Sequence, residues 1–151
     1  MREKFSIDLP RHFIFNALNS AIALCRSDPE KASKLIVSLA QCLNFSSVTQ
    51  QRVLLDEELE FIESYLFIQS VRFIPRLSCS YKYSLSIGPK RFIQKYAAFN
   101  VIEKALQDAM AANQNAIGLE WGINNQENSQ LWFSINGSNA FHVPIKLFEE
   151  E

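Results

Sequence analysis

The chain has 151 residues, 48% of them apolar and 21% charged, and a net charge of −1. That length suits one domain or two small ones with a real buried core, and the near-neutral charge gives no electrostatic pull towards nucleic acid or an anionic membrane. Twelve phenylalanines against four glycines favour packed helices and strands over loop-rich architecture, and no apolar run reaches the length of a transmembrane helix.

Residues 8–26 predict a first helix, with Asp8 as its cap, Pro10 in its first turn, and Phe13, Leu18, Ile22 and Cys25 at near-helical spacing. Ser27-Asp28-Pro29-Glu30 then breaks the pattern, and a capping box from Ser27 to Glu30 opens a second helix. Its stripe is Ala32, Leu35, Ile36, Leu39 and Leu43, with Val48 as a candidate last member. Two antiparallel helices share a single apolar seam, too little to close a core alone. A second copy supplies the missing surface, which predicts a homodimer with a four-helix bundle across its axis. A third helix is expected over about 55–73, opened by Asp56-Glu57-Glu58, and the glutamates at 57, 58, 60 and 63 read as a solvated face.

After Pro75 the apolar period changes to two. Leu77, Cys79, Tyr81, Tyr83, Leu85 and Ile87 alternate with polar residues as a long, half-buried strand that Gly88-Pro89 ends. Residues 90–112 predict another helix, with Phe92, Tyr96, Phe99 and Leu106 near one face. Ile117 to Ile123 and Leu131 to Ile135 read as a hairpin, and Phe141, Val143, Ile145 and Leu147 as a last strand that Pro144 assigns to an edge. The expected fold is α+β: a helical hairpin and linking helix over 1–74, then a small β-α-β-β-β layer over 75–151. Cys25, Cys42 and Cys79 are odd in number and widely spaced, so they read as small core residues in a reducing compartment. Neither a disulfide nor a metal set is expected.

The chemistry concentrates in His12-Phe13-Ile14-Phe15-Asn16-Ala17-Leu18-Asn19. His12 stands at the entry of the first helix and Asn16 follows at i+4, on the same face. An exposed imidazole titrates near neutrality and keeps a nucleophilic nitrogen when uncharged, so it suits phosphoryl acceptance. Asn16 suits orienting a water or an incoming acyl phosphate; Phe13 and Phe15 read as packing residues and Arg11 as a solvated arginine. His142, beside Pro144, reads as an exposed strand residue.

This box resembles the phospho-acceptor region of the LytS/YehU-type sensor histidine kinases, whose signature runs His-Phe-Leu-Phe-Asn-x-Leu-Asn. The resemblance continues through Ser27-Asp28-Pro29-Glu30-Lys31-Ala32, the run Leu55 to Ile62, Tyr65-Leu66, Ile68-Gln69, Arg72-Phe73 and Arg76-Leu77, covering about half the chain in order. One departure is local: the family usually has proline directly before the histidine, and here Arg11 intervenes after Pro10. The resemblance implies a dimerising hairpin followed by a layer related to the kinase ATP-binding domain. It also implies a response-regulator receiver domain as partner.

The second half departs from the family. Its Glu-Asn-x-x-x-His-Gly helix, whose asparagine helps hold the magnesium of ATP, corresponds here to Glu103-Lys104-Ala105-Leu106-Gln107-Asp108-Ala109. Glu103 survives as a remnant to which no catalytic role is assigned, and an ammonium at Lys104 offers magnesium no oxygen. The family's Asp-Asn-Gly, which reads adenine, has become Ile135-Asn136-Gly137, and the glycine-rich lid is missing. ATP-dependent autophosphorylation is therefore expected to be lost, with no cofactor bound. With no apolar stretch of transmembrane length and no signal-peptide pattern in Met-Arg-Glu-Lys, a cytoplasmic protein is expected, whereas family members usually carry a membrane sensor region ahead of the box. Two functions follow from the resemblance. One is a histidine phosphotransferase or pseudokinase acting through His12 and Asn16. The other is a non-enzymatic dimeric adaptor that binds a response regulator, or an intact kinase as a heterodimer.

Overall fold

A computed structural model of the chain describes residues 9–82, 91–112, 115–124 and 130–149. It is an α+β structure of four helices and two sheets among the described residues. Helices α1 (Arg11–Leu24) and α2 (Pro29–Ser47) form the hairpin, the short strand β1 (Arg52–Leu54) follows, and α3 (Leu55–Arg72) runs through the middle of the molecule. Then come β2 (Leu77–Tyr81), β3 (Arg91–Gln94), α4 (Ala97–Ala112), β4 (Ile117–Asn124), β5 (Gln130–Ile135), β6 (Phe141–Pro144) and β7 (Leu147–Glu149). The proposed cap Asp8 and the strand residues Tyr83, Leu85 and Ile87 with Gly88-Pro89 lie outside the described residues.

The hairpin forms as expected but turns a different face inward. On α1 the buried residues are Phe13, Ala17 and Ala21, while Leu18, Ile22 and Cys25 of the expected stripe are exposed. Small alanines win the inner face because they let α1 approach α2 and α3 closely, and the bulky side chains are left outside. On α2 the inner face is Ala32, Leu35, Ser38, Leu39, Cys42 and Phe45, and Ile36 and Leu43 are exposed. The cap of α2 is Asp28, not Ser27: its carboxylate accepts from the Lys31 N–H at 3.1 Å, with Pro29 in the first turn.

Helix α3 packs against α1, α2 and α4 and against β1, β2 and β3. Buried residues therefore occupy most of its circumference, including Leu59, Phe61, Ile62, Tyr65, Leu66 and Ile68. An aromatic cluster ties four helices together: Phe13 stacks on Tyr65 at 5.1 Å, Phe45 on Phe61 at 4.6 Å, and Phe99 meets Phe61 and Tyr65 edge-on at 5.0 and 4.9 Å.

The larger sheet has the order β2-β4-β5-β6, with β2 parallel to β4 and the rest antiparallel. It contains the expected hairpin of β4 and β5, and β6 with Pro144 lies at its edge. At Gly122 an added Cβ would lie 1.8 Å from the Lys82 carbonyl oxygen and 2.9 Å from the Trp132 ring, so only glycine fits between them.

A second sheet, β1-β3-β7, was not expected. Residues 91–94, read as the start of a helix, are a strand, and the final alternation divides into β6 and β7, one in each sheet. Three-to-four-residue strands leave too short an alternation to tell from a helical turn, and their pairing is entirely non-local. This sheet joins Arg52–Leu54, just before α3, to segments of the C-terminal half, and one apolar core runs from Phe13 to Leu131.

Glu58 overturns the reading of a solvated acidic face; it is fully buried. Its carboxylate accepts from the backbone N–H groups of Tyr96, Ala98 and Phe99 at 2.5, 2.7 and 3.3 Å, and so caps α4 from another helix. Burial raises its pKa above the ordinary carboxylate range, against the opposing pull of those N–H groups and of Lys95. Lys95 donates to the Ser46 carbonyl at 3.3 Å and to the Val48 carbonyl, and burial lowers its pKa.

Candidate functional site

His12 lies on the first turn of α1, one residue inside a helix whose flanking residue, Pro10, makes no side-chain cap. Its side chain is exposed, and Asn16 one turn later is half-buried. Phe13, between them in sequence, is buried and stacked on Tyr65, which fixes the start of α1 against α3 and sets His12 beside the end of that helix.

A cleft of about 360 Å³ opens there, between the start of α1, the last turns of α3 and the middle of α4. Its polar lining is His12, Tyr65, Gln69, Arg72, Glu103 and Gln107. Asn16 is not among the lining residues, so the two residues singled out from the sequence share a helix face but not this cleft. Gln69 Nε2 donates to the Tyr65 hydroxyl at 2.9 Å, and Gln107 Nε2 donates to Glu103 Oε1 at 2.8 Å. Burial and the negative charge of Glu103 raise the Tyr65 pKa, so its phenol stays protonated at neutral pH. Arg72 lies with its guanidinium 4.8 Å from the Phe73 ring at the exposed lip.

Gln69, Arg72, Glu103 and Gln107 carried no functional signal in the sequence. Gln69, Arg72 and Glu103 were visible only as matching positions of a family pattern, and nothing in a linear pattern brings α4 to His12. The other expectations on single residues stand as follows: His142 is exposed on β6, Cys42 is buried, Cys79 is half-buried, and Cys25, read as a core residue, is exposed at the end of α1. Burial pushes the Cys42 and Cys79 thiols up to about 12, which leaves both un-ionised and unreactive at neutral pH.

Lys104, Ile135 and Asn136 are the positions that the family resemblance sets against a nucleotide. Lys104 is exposed on α4 and bonded to Asp108 one turn away at 3.3 Å. Ile135 ends β5, and the Asn136 side-chain oxygen accepts from the Gly118 N–H at 2.7 Å, closing the turn. An ammonium paired to a carboxylate, an aliphatic side chain and an already bonded amide do not fit a magnesium nucleotide. No helix of the described residues is long and apolar enough to cross a membrane.

Residues 7–77 match the histidine kinase family model. Sensor protein LytS of Bacillus subtilis is 32% identical over 109 residues, covering 69% of this chain and 18% of that protein. Sensor protein LytS of Enterococcus faecalis is 29% identical over 105 residues, covering 68% and 18%. That of Bacillus cereus is 42% identical over 65 residues, covering 41% and 11%. Residues 7–77 are of the histidine kinase family, of LytS type. The chain spans less than a fifth of the length of these relatives.

Proposed function

We propose that this chain is a dimeric histidine phosphotransferase, a pseudokinase that takes a phosphoryl group at His12 from the aspartate of a receiver domain. The observation that carries this reading is the exposed His12 on the first turn of α1, inside the family-matched region, in a chain whose counterpart of the nucleotide site does not fit ATP. Such a protein works in the cytoplasm, where receiver domains are found, with the receiver's own metal serving the chemistry. Residues 1–74 supply dimerisation and the acceptor, and residues 75–151 a degenerate kinase-like layer.

Dimerisation is supported by the outer face of the hairpin. Phe15, Leu18 and Ile22 on α1 and Ile36, Val37 and Leu43 on α2 are 38–70% exposed in the single chain. Spaced three to four residues apart on α1, the first three form a stripe of the kind that pairs helices. A second copy covers this stripe and closes a four-helix bundle.

The test is transfer of labelled phosphate from a phosphorylated receiver domain. Label is expected on the wild-type protein and not on His12→Ala. Asn16→Ala is expected to keep the acceptor but to change how fast the label is lost to water. If the receiver domain binds both proteins equally and label reaches neither, the phosphotransferase reading is wrong and the chain acts as an adaptor by occupancy. Micromolar affinity for Mg-ATP in a calorimetric titration would instead make it a working kinase.

A further inference from the structure

The cleft beside His12 has an excess of buried acceptors. Gln69 is 8% exposed, donates through Nε2 to Tyr65, and leaves Oε1 buried with no hydrogen-bond partner among the described residues. Glu103 Oε1 is held by Gln107, while Oε2 is buried without a partner in ideal bonding geometry, the Tyr65 hydroxyl being its nearest hydrogen-bonding neighbour. A buried acceptor left unsatisfied is costly, so the cleft is suited to receive a donor. Tyr65 and Arg72 also line it with donor hydrogens, but of the lining side chains only His12 can give an N–H and still keep a nucleophilic nitrogen. A neutral imidazole carries one N–H to give and one lone-pair nitrogen to keep.

We propose that Glu103 on α4 is a positioning residue for His12, its carboxylate accepting one imidazole N–H so that the other nitrogen faces outward as the phosphoryl acceptor, with Arg72 at the lip to meet the phosphoryl oxygens. This rests on the reading of His12 as the acceptor. Glu103 anchors the ring by the same logic by which carboxylates orient catalytic and metal-binding histidines: the hydrogen bond selects one tautomer and one ring orientation. The step balances without a further reactant. The outward nitrogen forms the N–P bond as the P–O bond to the receiver's aspartate breaks, and that carboxylate leaves with the electron pair. The imidazole becomes cationic and keeps its remaining proton, shared with Glu103. The carboxylate thus opposes a positive charge that grows during transfer, which speeds the forward step. Arg72 is suited to the oxygens because its planar guanidinium presents paired donors to a phosphoryl group.

The pairing is tested on the full chain by two measurements. In nitrogen-15 NMR of the imidazole, wild-type His12 is expected to populate one tautomer. Glu103→Gln is expected to give a mixture and Glu103→Asp to recover much of the wild-type signature. The rate of label transfer from a phosphorylated receiver domain should fall roughly 10–100-fold in Glu103→Gln, with partial recovery in Glu103→Asp. Phosphoramidate, a donor too small to use a docking surface, should show the same ranking. Thermal unfolding of each variant separates loss of fold from loss of orientation. Wild-type tautomer and wild-type rates in Glu103→Gln would overturn the role of Glu103 while leaving His12 as acceptor. A wild-type protein that takes no label from either donor would sink the acceptor reading instead, and the tautomer comparison still decides whether the two side chains pair.

Discussion

The hairpin and the sheet layer solve the same burial problem in opposite ways. Trp121, Ile117 and Leu119 on β4 and Leu131 on β5 are at most 1% exposed, because α3, α4 and neighbouring strands cover the layer within one chain. Ile22, 70% exposed on α1, belongs to an apolar stripe with no such cover among the described residues. Both regions are equally rich in large aliphatic side chains, so composition does not separate them. What separates them is the number of neighbours: strands gain partners on two edges and a helix on a face, whereas a two-helix hairpin packed on α3 still has an outer side. The layer is complete in one chain, whereas the hairpin keeps an exposed apolar side that the proposed second copy would cover.

That comparison can be broken most decisively at Ile22. Replacing it by aspartate removes about 1.5–3 kcal/mol of burial from each protomer, so dimer affinity is expected to fall roughly 10²–10⁴-fold. Sedimentation equilibrium reads this directly. A wild-type protein that stays monomeric at hundreds of micromolar would remove the distinction between the two regions. Trp121→Ala acts on the closed region. It should cost about 3–5 kcal/mol in chemical denaturation, with a residual dimer interface unaffected in the folded fraction.

Glu58→Gln probes the junction between the two. Its carboxylate caps α4 from α3 through three backbone N–H groups, so the neutral amide is expected to lose about 1–3 kcal/mol and to lower the unfolding midpoint. The smallest effect is in pH. Because burial raises the native pKa of Glu58 above its ordinary 4.5, the folded state binds this proton more tightly than the unfolded chain. Its contribution to stability therefore rises as pH falls through the native value and levels off below about 4.5. In Glu58→Gln that slope should vanish, which equilibrium denaturation at several pH values will register.

Much of the molecule is legible in linear order. The three N-terminal helices, the β4–β5 hairpin and the edge position of Pro144 follow from period, capping residues and turn composition, which are local properties. The inward face of α1 was misread because hydrophobicity alone favours Leu18 and Ile22, whereas close helix packing selected Ala17 and Ala21. The three-stranded sheet was missed because each of its strands is too short to show a period. Glu58 was misread because a carboxylate in an acidic run looks solvated until the N-terminus of α4 is set against it.

The sequence by itself determined the family-like box, His12 with Asn16 one turn on, and the identities of Lys104 and Ile135, where the resemblance expects nucleotide-binding residues. Those are statements about residue identity at fixed spacing, and spacing along one helix is set by its geometry. Only the tertiary structure decided what surrounds His12. Glu103 lies on another helix, and it reaches the cleft because Phe13, Tyr65 and Phe99 stack α1, α3 and α4 into one aromatic core. Such contacts depend on packing between distant segments, and no local pattern encodes them.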